Sequence, residues 1–204
     1  MNNQGLVSGA AAAVAGMLFT PAQAGVFSAD PDDFPNQIIT NTFPGITLTT
    51  RDGLFPGLNT RDVTSVFSPN ASTGEFVFGQ DDGNPTWGDG TFEFLHIEFD
   101  NVVTQVSLDF IANDVGGDSN AQLLAYNVFN VLVDIVTVDF IAFGTFETLT
   151  VSSPDIKFVA AYWDEITGGE NGELDNLRWV PVPMPSAALL LAMGAVTPRR
   201  RRKR

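Results

Sequence analysis

Val102-Val-Thr-Gln-Val-Ser-Leu-Asp-Phe-Ile111 decides the fold of this 204-residue chain. From Thr104 its side chains alternate: Val106, Leu108 and Phe110 fall on one side, and Gln105, Ser107 and Asp109 on the other. A period of two sets one face against a core and leaves the other polar, as in a strand of an antiparallel sheet. Similar β-rich runs lie at 37–42, 45–50, 64–67, 75–78, 91–99, 122–128, 131–140, 146–152, 157–163 and 174–179. Between them stand Asp52-Gly53, Asp82-Gly83, Asp89-Gly90, Gly116-Gly117, Gly168-Gly169 and Asn171-Gly172, pairs that accept the positive φ of tight turns. No stretch between 25 and 179 sustains a helical period, and no unit repeats at fixed spacing. Eleven strands, counting 102–111, predict an all-β fold, an antiparallel β-sandwich over residues 25–180.

Charge is distributed unevenly. Residues 1–24 carry none, and six of the ten basic side chains are the last six residues, Arg199 to Arg204. The segment between holds 24 acids against Arg51, Arg61, Lys157 and Arg178, a net 4 − 24 = −20. Such a body repels phosphate backbones, so nucleic acid is excluded as a partner. With no cysteine and one histidine, the chain lacks disulfides, thiol nucleophiles and multi-histidine metal centres. No nucleophile elbow, zinc-protease helix, phosphate loop or dinucleotide fingerprint is present. His96, the lone histidine, sits among strand residues and reads as a hydrogen-bonded structural group.

The two ends read as addresses. An apolar, small-residue stretch leads to Pro21 and then to Ala22 and Ala24, an A-x-A cleavage pattern that makes residues 1–24 a signal peptide for the Sec export machinery. At the other end, Val182, Pro183, Met184 and Pro185 precede a short apolar segment and the arginine cluster. This order resembles the PEP-CTERM sorting tail of exported bacterial proteins, with Met184 in place of the usual Glu. The resemblance implies that residues 181–204 contact the membrane transiently and are handled by an exosortase-type membrane protein. It places the body at the cell surface or in an extracellular matrix.

A second resemblance spans the body. Ile38-Ile-Thr-Asn-Thr-Phe-Pro-Gly-Ile46, the 103–110 stretch with Leu124-Ala-Tyr126, and Leu174-Asp-Asn-Leu177 are similar to segments of galactose-binding-like jelly-roll domains. Many of those domains bind carbohydrate and carry a structural calcium ion. The resemblance implies a calcium shared by Asp175 with Asp30 or Asp33. Calcium takes six to eight oxygen ligands, which suits acid-rich loops. Two further loops qualify by composition, one with Asp81, Asp82 and Asp89, the other with Asp114, Asp118 and Asn120. Each also reads as solvated acids in turns. Trp87, between Asp82 and Asp89, reads either as a loop anchor packed on the sandwich or as a stacking platform for a sugar held by those acids. Tyr126, Tyr162, Trp163 and Trp179 read as core or sheet-face residues.

Three functions remain open. The first is a non-enzymatic exported surface or matrix protein, and the second a carbohydrate-binding module acting on extracellular polysaccharide. The third is a glycoside hydrolase or lyase on a jelly-roll scaffold, which would need two facing carboxylates.

Overall fold

The 102–111 stretch lies inside a strand twice its length. The computed structural model describes residues 25–52, 60–87, 93–113, 120–139, 141–164 and 172–183. Among them the strands are β1 (Phe27–Ala29), β2 (Ile46–Asp52), β3 (Thr60–Arg61), β4 (Val63–Phe67), β5 (Phe76–Gln80), β6 (Glu93–Ala112), β7 (Asn120–Tyr126), β8 (Leu132–Val138), β9 (Phe146–Asp164) and β10 (Gly172–Pro181). A single 3-10 turn, Pro31–Asp33, follows β1. Every pairing is antiparallel.

β6 and β9 pair along most of their length as a ribbon. The first half of β6 takes β2 on its free side, while its second half takes β10. The second half of β9 takes β7, which β8 then extends. One half-sheet therefore runs β4-β5-β10-β6-β9, with β1 beside β10, and the other runs β3-β2-β6-β9-β7-β8.

The ribbon folds over on itself. Phe110 pairs with Glu147, and Trp163 lies 163 − 147 = 16 residues further along β9. A straight strand would separate them by about 50 Å. Their ring centroids are 5.9 Å apart. Phe99 and Trp179, from opposite half-sheets, are likewise 6.1 Å apart. The crossing point is marked by register irregularities between Glu98 and Gln105. The two half-sheets thus pack face to face as a sandwich. Leu95, Ile97 and Phe99 from one half share a single core with Val106, Leu108 and Phe110 from the other.

Some sequence expectations change here. The described part of the run 91–99 and the run 102–111 are one strand, as are 146–152 and 157–163. Asp100-Asn101 and Ser153-Pro154 look like turn sequences, yet they occupy the bend. A bulged corner suits them, because it frees backbone groups and tolerates a proline without an N–H. The run 37–42 is no strand. Only Ile38 bridges to Thr64, and Asn36 at φ 55° turns the chain just before it. The short β1 and β3 carry too few residues to show a period.

Candidate functional site

Two places on the sandwich gather chemistry. The first is an acidic clasp on the outer face of the half-sheet containing β10. Alternation turns Leu174 inward and Glu173 and Asp175 outward, a register shift between Asp175 and Arg178 resets the phase so that Leu177 and Trp179 also point inward, and the loop 68–75 between β4 and β5 closes over both acids. Asp175 is fully buried. Its Oδ2 accepts from the Ser72 hydroxyl at 2.9 Å, the Thr73 amide at 2.9 Å and the Thr73 hydroxyl at 3.1 Å. Its Oδ1 accepts from the Asn176 amide at 2.7 Å. Glu173 is held by the Ser68 hydroxyl at 2.6 Å and the Asn113 side-chain amide at 3.0 Å. Asp32 accepts the Glu75 amide at 2.8 Å, and its carboxylate fills the space where a Cβ on Gly74 would lie.

The clasp is short of protons. Ser72 Oγ lies 2.9 Å from both Asp109 and Asp175. Thr73 Oγ1 lies 3.1 Å from Asp175 and 3.2 Å from Asp30. A hydroxyl has one proton, so each can serve only one of its two carboxylates at a time. Burial, the largest cause, pushes the Asp175 carboxyl above its usual range; hydrogen bonds from Thr73, Ser72 and Asn176 oppose this, and Asp30 adds to it. Burial raises Glu173 in the same way.

The second place is the outer face of the other half-sheet. Three cross-strand rows define it. One runs Thr47, Glu98, Phe158, Tyr126, Leu132; the next Thr49, His96, Ala160, Leu124, Ile135. The last holds Arg51 beside Phe94, and Tyr162, Gln122 and Thr137. Tyr126 stacks on Phe158 at 4.8 Å with 8° between planes, and Phe158 lies 4.9 Å from His96. Tyr162 donates to Gln122 Oε1 at 3.0 Å. Glu98 pairs with Lys157 at 3.3 Å.

His96 is 4% exposed. Burial, aided by the Arg51 charge, lowers its pKa to about 3. Such an imidazole stays neutral at ordinary pH and is a poor general base. Its Nδ1 lies 3.5 Å from the Thr49 hydroxyl. Burial also raises the Tyr126 phenol.

Beside this face, the β7–β8 turn presents Val128 and Phe129, the latter 81% exposed. The turn is built, not loose. Asn127 Oδ1 accepts the Phe129 and Val131 amides at 2.9 and 3.1 Å, and Asn130 sits at φ 58°. A large apolar ring is thus held rigidly in solvent.

Several expected site residues take different roles. Asp175 and Asp30 do come together, through Thr73, but Asp33 is exposed at the end of the 3-10 turn. Four protein donors lie within hydrogen-bond distance of the Asp175 carboxylate, and two of them are shared with Asp109 and Asp30. Among the described residues no group of three or more His, Cys, Asp or Glu is placed to hold a metal ion. The platform reading of Trp87 is corrected: the ring is 0% exposed, and its Nε1 donates to the Phe78 carbonyl at 2.8 Å. It anchors the loop instead, because a large ring with one N–H is best buried where a carbonyl meets that N–H. Asp82 is exposed and accepts the Asn84 amide at 2.9 Å in its own turn, while Asp81 pairs with Arg61 at 3.1 Å. Asn120 opens β7 opposite Asp164. Asp89, Asp114, Asp118, Ala22, Ala24, Met184 and Pro185 lie outside the described residues. Val182 and Pro183 follow β10 with no regular structure.

The sequence reading did not assemble the aromatic face. Its members are scattered over five strands and adjoin only through register. The Phe129 turn was closer to legible, since Asn127-Val-Phe-Asn130 places an aromatic between two turn formers.

The chain is an all-β protein, an antiparallel β-sandwich of jelly-roll type, with a polar clasp on one outer face and an aromatic row on the other. No protein-family model matches it, and no curated protein matches its sequence. Among solved structures it is similar to the K2 cleaved adhesin domain of Lys-gingipain, with TM-score 0.48, 15% identity, and coverage of 76% of this chain and 99% of that one. It is also similar to two single-residue mutants of the CBM29-2 carbohydrate-binding module. One has TM-score 0.43, 10% identity and coverage of 76% of this chain and 91% of that one. The other has TM-score 0.43, 9% identity and coverage of 85% and 99%.

Proposed function

We propose that the chain is an exported, non-enzymatic protein whose sandwich binds extracellular polysaccharide through the Tyr126–Phe158 face. One observation carries this reading: stacked and exposed rings adjoin hydrogen-bonding side chains on a rigid sheet. Sugar C–H faces pack on aromatic rings while hydroxyls bond to carboxylates, amides and guanidinium groups. Tyr126 and Phe129 supply rings, and Gln122, Glu98, Thr47, Thr137 and Arg51 supply polar groups. Among the described residues Glu98 is the only carboxylate in the three rows, whereas a glycosidase needs two facing ones.

The ends support delivery. Residues 1–24 act as the export signal, and residues 181–204 act as a sorting tail read by an exosortase-type enzyme. A glycan array with the processed protein tests the binding. Signal for at least one polysaccharide, lost in Tyr126→Ala and Phe129→Ala proteins that keep their far-UV spectrum, is the expected result. Silence on every glycan by the native protein refutes it. Mass spectrometry of the protein from its host tests delivery: the mature chain should begin near Gly25 and lack the arginine cluster.

A further inference from the structure

The aromatic face carries a side-chain cation within its rows. Strand β2 places Arg51 opposite Phe94, two residues beyond Thr49, whose hydroxyl meets His96. A period of two keeps Arg51 on that face. Its charge acts on His96, and the Glu98 charge acts on it in turn. The guanidinium therefore lies on the same face as the aromatic row. Its Nε is buried and has no acceptor among the described residues.

A buried donor without an acceptor is costly, and more so on a charged group. Among the described residues Glu98 is the carboxylate whose charge acts on Arg51, and it is engaged by Lys157. Arg51 is one of four cations in a segment whose net charge is −20. The Arg51 guanidinium is half-buried beside Phe94. It is placed to meet a charge that arrives from outside.

The geometry points to a polysaccharide bearing carboxylates, one that contains uronic acid, as the ligand of this face, with Arg51 as the residue that reads the carboxylate. This rests on the face being the polysaccharide site. The planar guanidinium fork matches a carboxylate through two parallel hydrogen bonds, which a neutral sugar hydroxyl cannot supply. The acidic remainder of the body does not prevent it, because charges more than about 8–10 Å away are largely screened at physiological salt.

Isothermal titration of the full chain against two ligand sets tests the inference: oligogalacturonates, and cello-oligosaccharides of the same length. The oligogalacturonates should bind more tightly, with affinity falling as salt rises. Arg51→Gln should weaken them by about tenfold or more, and Arg51→Lys should recover part of the loss. Equal or tighter binding of the neutral set by the native protein overturns the uronate assignment alone, and needs no variant. So does native-like oligogalacturonate binding by a folded Arg51→Gln protein. Absence of binding to both sets and to every glycan on the array overturns the polysaccharide reading, and this inference falls with it.

Discussion

His96 and Asp175 are each buried on an outer face of the sheet, and they respond to pH in opposite senses. The folded state holds His96 near pKa 3 against an ordinary 6.5, so it resists a proton that the unfolded chain accepts. Its contribution to stability is present above pH 6.5 and is lost as pH falls from there toward 3, by up to about 1.4 kcal/mol per pH unit. Asp175 and Glu173 are raised above 3.8 and 4.5, so the folded state binds their protons more readily than the unfolded chain. Their contribution is present below those values and declines as pH rises through the folded-state pKa. Urea unfolding across this range should therefore show His96→Gln flattening the acid side of the curve. Asp175→Asn should flatten the decline above pH 4 instead, because its amide donates to Ser72 or Thr73 without needing a titrating proton. If protein donors rather than an ion hold the clasp, calcium added after chelation should shift the melting temperature of native protein and Asp175→Asn alike. A calcium-specific rise that Asp175→Asn abolishes would return the ion to this site.

At the scale of elements, the β6–β9 ribbon organises the molecule, and its behaviour shows what a linear reading captures. The alternation of Val106, Leu108 and Phe110 was legible, because period and burial coincide there. The merging of four runs into two strands was not. Asp100-Asn101 and Ser153-Pro154 have turn chemistry, and only tertiary packing turns them into corners. The join of Asp175 to Asp30 was partly legible, since the resemblance pairs Asp175 with Asp30 or Asp33. Its true partners, Ser72 and Thr73, come from a loop that no motif marks. Trp87 was ambiguous because a tryptophan in a glycine-rich loop can face either way until its N–H finds a carbonyl. The fold-over itself can be tested at Gly172, which passes under Trp163, where an added Cβ would fall within the indole ring. Gly172→Ala should lower stability by about 1–3 kcal/mol through overpacking, measured by chemical denaturation with Trp fluorescence. An unchanged midpoint would mean that the half-sheets are not held together at this contact.

At the scale of the whole molecule, the sandwich presents two unlike outer faces. One is polar, with a loop clasped onto buried acids; the other carries rings, a neutral histidine and a guanidinium whose Nε has no acceptor among the described residues. Core formation accounts for the inward residues of both half-sheets, and the clasp accounts for the outward acids of β10. Neither requires an exposed Phe129, or a stacked row reaching from His96 to Tyr126, which is why the account assigns binding there. The most direct test is chemical-shift mapping on the labelled protein, titrated with an oligosaccharide drawn from the best-binding polysaccharide. The account predicts that perturbed amides cluster at Thr49, His96, Gln122, Tyr126, Phe129 and Phe158. Perturbations confined to Ser107, Thr150 and Arg178 on the opposite face, or none at saturating ligand, would contradict it.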